Sequence, residues 1–196
     1  MPETAPAIES PFLHEMNTRL RACLDRARAL TGSLDAKQLN WKPAPEKWSI
    51  AQCLEHMRIA ADHYLEKLAP AVERAKSSGK PAEDVTNPPK HTLAGRFILK
   101  LVEPDAKRTM KTPKQFAPAQ SELKPGVVDQ FLRTHESVAT IIADCDGRDL
   151  ARIRYGTPEV SFIRINAADG IKVHVTHAER HLTQAERVRA HAEFPS

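Results

Sequence analysis

The sequence is poor in glycine, in aromatic residues and in long apolar runs. Only 7 of its 196 residues are glycine and only 5% are aromatic. This disfavours a sheet-rich fold, because strands are enriched in aromatic and β-branched side chains. No stretch approaches the roughly 18 consecutive apolar residues of a membrane-spanning helix, so no membrane partner is expected. The N-terminal segment MPETAPAIES also lacks the basic and apolar regions of a signal peptide.

Cysteine and clustered charge are scarce as well. Cys23, Cys53 and Cys145 form no Cys-x-x-Cys pair, and an odd number of scattered cysteines is typical of reduced thiols. We therefore expect a cytoplasmic protein with three buried thiols. The net charge of +4 is spread along the chain, which disfavours nucleic acid as a partner. A basic DNA-binding protein, with salt-sensitive binding, is the third hypothesis for function.

The length and the spacing of apolar residues predict one all-α domain over residues 1–196, with residues 1–9 disordered. N-cap and stop signals predict four main helices. They run from Ser10 to Gly32, from Ser49 to Gly79 with a kink or restart at Pro70, from Pro125 to Asp146 before Gly147, and from Asn166 to about His191. Four such helices suggest an antiparallel four-helix bundle with long connections after helices two and three.

The connections between these helices have weaker patterns. Residues 33–47 contain two prolines and are expected to be extended or turned. Residues 80–124 are rich in proline and lysine, and they hold one short amphipathic helix at Thr92–Val102. A long excursion of this kind is usually a functional loop. Residues 148–165 are expected to form a loop, although a short strand at Val160–Ile163 is compatible with their pattern.

Histidine is the residue type that indicates chemistry. His177 and His181 are four residues apart in the last predicted helix, so they lie on one face and can reach the same metal ion. His174 lies one turn earlier, and His56 lies in the second predicted helix. Three neutral histidines with one open position are a known catalytic metal arrangement.

Two other metal motifs are excluded by position. The zincin motif needs glutamate directly after its first histidine, where this chain has Ala178. A di-iron bundle needs Glu-x-x-His pairs, and none of the three histidines has glutamate three residues before it. The metal hypothesis therefore depends on histidines alone.

Two stretches carry a family resemblance. NWKPAPEKWSIAQCLEHM, followed about 120 residues later by HVTHAERHLTQAERV, resembles the DinB-like superfamily, which includes the YfiT-like metal-dependent hydrolases. The shared pattern is a Trp-Ser pair that opens helix two, a histidine within that helix, and His-x3-His-x2-Gln in helix four. In this sequence these positions are Trp48, Ser49, His56, His177, His181 and Gln184.

The resemblance implies a four-helix bundle with a three-histidine site for a divalent transition metal, zinc or nickel, and frequently a homodimer. It implies His56, His177 and His181 as ligands. Hydrolysis and thiol S-transfer are both compatible with such a site, and the substrate would be a small molecule, in the second case a low-molecular-weight thiol. The competing hypothesis is a non-catalytic metal-binding or interaction bundle, because no clear general base lies beside the ligands.

No catalytic residue is identified from the sequence. His135 lies on the inward stripe of helix three and is the candidate general base or ligand-supporting donor, although a hydrogen-bonded core histidine is the favoured interpretation. His63 is expected at the bundle rim rather than near the metal, and Trp48 is expected to pack at the start of helix two rather than contact substrate. Gln184 could orient a ligand or hold the helix pair, and the second, structural role is favoured.

Three further expectations concern the residues around the ligands. Cys53, one turn before His56, is expected to be an inert buried thiol. Glu55 and Glu179 are expected to face outward. Arg180 and Arg187 are expected to be solvated or in a dimer contact.

Overall fold

The computed structural model describes residues 8–78, 86–103, 112–158 and 160–196, and these parts of the chain are mostly helical. The helical content predicted from composition is confirmed, with one small two-stranded sheet added to it. The elements in chain order are α1 Pro11–Thr31, α2 Ala36–Asn40, α3 Ile50–Ser77, α4 Leu93–Val102, a 3₁₀ turn at Lys114–Phe116, α5 Val127–Asp144, β1 Arg154–Gly156, β2 Arg164–Asn166 and α6 Ala167–Arg189.

Capping side chains begin three of the four long helices where the sequence predicts them, whereas α5 begins without a side-chain cap. Ser10 accepts from the N–H of Leu13 at the start of α1. Ser49 opens α3 with a capping box, and Asn166 opens α6 with another. In both boxes the cap and the residue three positions later satisfy each other's backbone N–H groups. These caps determine the residue at which each of the three helices begins.

Pro70 does not interrupt α3, which continues to Ser77. The helix is continuous across Pro70, so the predicted restart is not observed. The predicted kink stays a prediction. Ala71 and Val72 are buried in the core directly after the proline, and this packing supports the helix where the backbone lacks one donor. The predicted stop at Gly79 lies outside the described residues, as do residues 1–7 of the segment 1–9 that is predicted to be disordered.

Two connections differ from the expectation. Residues 33–47 include α2, which Asp35 begins with a capping box to Gln38. The expected loop at 148–165 contains an antiparallel hairpin in which Tyr155 pairs with Ile165, and Val160–Ile163 lies between its strands. Both elements are too short for a periodic pattern to show. The amphipathic helix at Thr92–Val102 is confirmed as α4, with Thr92 as its cap.

The four long helices pack so that α1 and α3 each contact both α5 and α6. Apolar side chains of all four helices form the buried core, for example Leu20, Leu54, Phe131 and Leu182. Helix α4 packs on α6, and the hairpin contacts α3, α4 and α6. None of the described helices has the length and apolar character needed to cross a membrane.

The contact between α6 and the hairpin provides a test of the fold. A methyl group added at Gly170 would overlap the hydroxyl of Tyr155 in β1, whereas Gly126 at the start of α5 has open space around it. We expect Gly170→Ala to lower the free energy of unfolding by about 1–3 kcal/mol through overpacking. Gly126→Ala, the control, should change it by less than about 0.5 kcal/mol. Urea denaturation measures both, and equal effects would contradict this packing.

Candidate metal centre

Three histidine side chains from two facing helices meet in one place. His56 lies on α3, and His177 and His181 lie one turn apart on α6. One ring nitrogen from each side chain lies within 4.8 Å of the other two. Nε2 of His56 and Nε2 of His177 lie 3.1 Å apart. The structure thus brings together the three residues that the sequence proposes as ligands.

A backbone carbonyl holds the ring of His56. Its Nδ1 donates to the carbonyl oxygen of Phe116 in the 3₁₀ turn, at 2.7 Å. Because a carbonyl can only accept, Nδ1 carries the proton and the lone pair of Nε2 faces the cluster. The sequence analysis missed Phe116, since a backbone contact from the proline-rich segment has no residue-type signal.

Gln184 holds the second ring. The Nδ1 of His181 donates to Oε1 of Gln184 at 3.0 Å, which turns the lone pair of its Nε2 toward the cluster. Sequence analysis favoured a structural role for Gln184 over the orientation of a ligand, and the structure places its amide on a cluster histidine. The ring of Trp48 packs 4.8 Å from that of His56 and 5.7 Å from that of His181. Trp48 therefore packs at the start of α3, as predicted.

The surroundings keep all three rings neutral. Burial is the main cause that lowers the pKa of His56 below its usual value. Burial, and then repulsion by His181 and His56, places the pKa of His177 well below the usual range. For His181, burial and the neighbouring His56 lower the pKa to about 3. Neutral imidazole is the form that binds metals, so near neutral pH no proton must leave before binding.

The geometry fits a transition metal ion. In a tetrahedral zinc site with Zn–N distances of about 2.0–2.1 Å, ligand nitrogens lie roughly 3.3 Å apart, close to the 3.1 Å between Nε2 of His56 and Nε2 of His177. Among the described residues, the group consists of these three histidines only. Three imidazoles suit zinc, nickel, copper and iron alike, so the residues could hold a metal ion without specifying which one.

A cavity of about 410 Å³ adjoins the three histidines. Its walls come from α3, α4, α6, the 3₁₀ turn and the hairpin, and most of them are apolar, for example Phe97, Ile98, Leu101, Phe116, Ile163 and Val173. None of the described wall residues is acidic. A cavity of this size is typical of a small-molecule site.

Arg180 is the charged side chain among the described residues of this wall. Its Nη1 donates to the carbonyl oxygens of Leu101 and Glu103, at 2.8 Å and 3.3 Å. These carbonyls lie at the end of α4, where a helix leaves acceptors unsatisfied. Arg180 is therefore partly exposed and also bonded to the end of α4, whereas the sequence predicts a solvated side chain. Arg187 is exposed as expected, and a dimer contact stays a prediction for both.

The other candidate histidines lie around the cluster. His135 is fully buried in α5, its Nδ1 donates to the carbonyl of Phe131 at 2.8 Å, and it does not line the cavity. Its ring packs 5.1 Å from that of His174, which does line the cavity. His63 is partly exposed and packs on Phe116. The role of His135 as a general base stays a prediction.

The thiols of Cys23, Cys53 and Cys145 are buried and form no disulfide bond, as predicted. Burial raises the pKa of Cys53 to about 12, so this thiol is a poor ligand and nucleophile near neutral pH.

The two glutamates do not simply face outward. Glu179 makes a 2.7 Å ion pair with Arg19 of α1. Glu55 pairs with Arg58 on its own helix at 2.8 Å. Both carboxylates are therefore engaged away from the histidine cluster.

The contact between Gln184 and His181 is testable through metal affinity. Gln184→Leu removes the acceptor that orients the His181 ring, and loss of such a partner typically weakens metal binding about 10–100-fold. Competition with a chromophoric chelator measures the zinc affinity. Gln130→Leu, on the exposed side of α5, is the matched control and should bind zinc as the wild type does. Equal affinities for all three proteins would contradict the orienting role.

Burial of His135 makes stability depend on pH. Burial lowers its pKa from 6.5 to about 4, and the hydrogen bond to Phe131 opposes this. Between these values the unfolded chain is protonated at this position and the folded chain is not, so stability is lost as the pH falls through this window. For metal-free protein, His135→Leu should reduce the loss of unfolding free energy between about pH 7.5 and about pH 5 by on the order of 2 kcal/mol.

Urea denaturation at both pH values measures this difference. The exposed His14 of α1 provides the control, because His14→Leu should lose as much stability on acidification as the wild type. The same loss in His135→Leu would show that the ring does not stay neutral in the folded protein.

Comparison with known proteins identifies the family of this chain. The sequence profile of the DinB superfamily matches residues 19–185, a span that includes all three histidines and the three capping boxes. Comparison of the chain with curated proteins and with solved structures gives no significant match. Because the profile covers most of the sequence, the chain belongs to the DinB superfamily.

Proposed function

We propose that this protein is a metal-dependent enzyme, of the hydrolase or thiol S-transferase type, with His56, His177 and His181 as the ligands of a zinc or nickel ion. The observation that carries the proposal is the convergence of three neutral imidazole nitrogens within 4.8 Å, beside a cavity of about 410 Å³. A site that only stabilised the fold would have no need of such a cavity.

A divalent metal at this site would supply acidity, because it lowers the pKa of a water or thiol that it binds. The residues of the chain supply the rest. Phe116 and Gln184 hold two of the rings in position. The apolar wall limits water around a bound substrate, which strengthens electrostatic interactions there. His174 is the remaining histidine among the described residues of the wall, and burial and the nearby His135 lower its pKa to about 3.

The proposal also covers the fold, the cellular location, the oligomeric state and the substrate class of the protein. The packing of α1 and α3 against α5 and α6 supports an antiparallel four-helix bundle within one domain over residues 1–196. Three free, buried thiols support a cytoplasmic location. A homodimer rests on the family resemblance, and a small molecule, in one case a low-molecular-weight thiol, is proposed as the substrate.

The alternative is a non-catalytic metal-binding or interaction bundle. It is favoured by the composition of the cavity wall, where no described residue is a carboxylate that could act as a general base. This alternative predicts metal binding without turnover of any ester, amide or thiol substrate. A panel of such substrates, tested with the metal-loaded protein, separates the two functions.

Elemental analysis of protein purified without a metal-chelating column tests the proposal. We expect about one transition metal ion per chain, as in other three-histidine sites. His56→Ala, His177→Ala and His181→Ala should each lose most of it, because two imidazoles hold a metal far less tightly than three. Circular dichroism checks that the variants remain folded.

The control for this experiment is His14→Ala, which alters an exposed histidine of α1 and should keep its metal. Unchanged metal content in folded His177→Ala would refute the proposed ligand set. Absence of metal from the wild type, even after reconstitution with zinc and nickel, would refute the metal-dependent function.

A further inference from the structure

Arg180 places a positive charge in the cavity wall, and it is not one of the three proposed metal ligands. It lies on α6 between His177 and His181, and its side chain forms part of the same wall. Its Nη1 is bonded to the carbonyls of Leu101 and Glu103. Within the part of the chain that the structure describes, no carboxylate forms an ion pair with it, whereas Arg19 and Arg26 of α1 both pair with glutamates of α6.

The guanidinium and the histidine cluster face the same cavity. Arg180 lines its wall together with His56, His177 and His181. A molecule that fills the cavity can therefore reach both the guanidinium and the histidines. A guanidinium without an acidic partner, next to a low-dielectric cavity, favours an anion from outside the chain.

The remaining wall determines what kind of anion fits. Helix α4 contributes apolar side chains such as Phe97, Ile98 and Leu101, and the hairpin contributes Ile163. Phe97 and Ile163 are also exposed, at 63% and 36%, so the apolar surface extends from the cavity interior to solvent. An apolar body that packs on this surface leaves water, and the favourable free energy is proportional to the apolar area buried.

We propose that this cavity binds an organic anion with an apolar body, whose carboxylate contacts Arg180 beside the three histidines. This names the substrate class of the site, and in that respect it rests on the proposed function. Arg180 is a binding residue that selects the charged head group, while α4 and the hairpin accept the apolar body. The guanidinium has further N–H donors besides the Nη1 bonds to α4, so it can bind the carboxylate and keep its contact with the helix.

Isothermal titration calorimetry with two probes of equal chain length tests this inference. Zinc-loaded full-length protein is titrated with decanoate and with decan-1-ol. The variants are Arg180→Gln, which keeps an amide donor for the α4 carbonyls, and Arg187→Gln, a matched change at an exposed arginine of the same helix. Zinc content is measured for every sample before titration.

We expect the wild type and Arg187→Gln to bind decanoate at least about tenfold more tightly than decan-1-ol, as one charge-assisted hydrogen bond allows. Arg180→Gln should weaken decanoate binding about tenfold and leave decan-1-ol binding within about twofold. The ratio of the two affinities isolates the anion contact, because a loosened α4 would weaken both probes alike.

An affinity ratio that is the same in Arg180→Gln and in the wild type, with zinc retained, would overturn the inference and leave the metal site intact. Equal binding of both probes to the wild type would overturn it as well. Protein that fails to bind zinc overturns the proposed function instead. The same ratio measured on that metal-free protein then decides whether Arg180 recognises the carboxylate.

Discussion

Three imidazole rings lie together between α3 and α6, one buried and two partly buried, and they stay neutral because burial removes much of their hydration and because the rings lie against one another. A proton on His177 would lose hydration and would be repelled by any charge on His56 or His181. The lone pairs of two rings are turned inward by hydrogen bonds to Phe116 and Gln184. This cluster therefore favours a cation that accepts nitrogen lone pairs over an added proton.

The rest of the fold can be understood as the support of this cluster. The capping boxes at Ser49 and Asn166 determine where α3 and α6 begin, and hence which faces the helices turn toward each other. The 3₁₀ turn brings a carbonyl to the outer side of His56. Helix α4 and the hairpin close the cavity beside the rings, and Arg180 ties the end of α4 to the helix that carries two of the histidines.

Local signals predicted a large part of this structure, and contacts distant in sequence did not emerge from them. The caps, the four-residue spacing of His177 and His181, and the amphipathic pattern of α4 each depend on neighbouring residues, so they are visible in the sequence. The carbonyl of Phe116 and the contact of Arg180 with Leu101 join segments far apart in the chain. Strands of three residues, as in the hairpin, are too short to give a periodic pattern.

X-ray absorption spectroscopy at the zinc edge, on reconstituted full-length protein, tests the central claim most directly. The account predicts a first shell of nitrogen or oxygen at about 2.0–2.1 Å, with the outer-shell scattering of about three imidazole rings. A first shell containing sulfur at about 2.3 Å, or one without imidazole scattering, would contradict it. Either result would show that the metal binds elsewhere than at His56, His177 and His181.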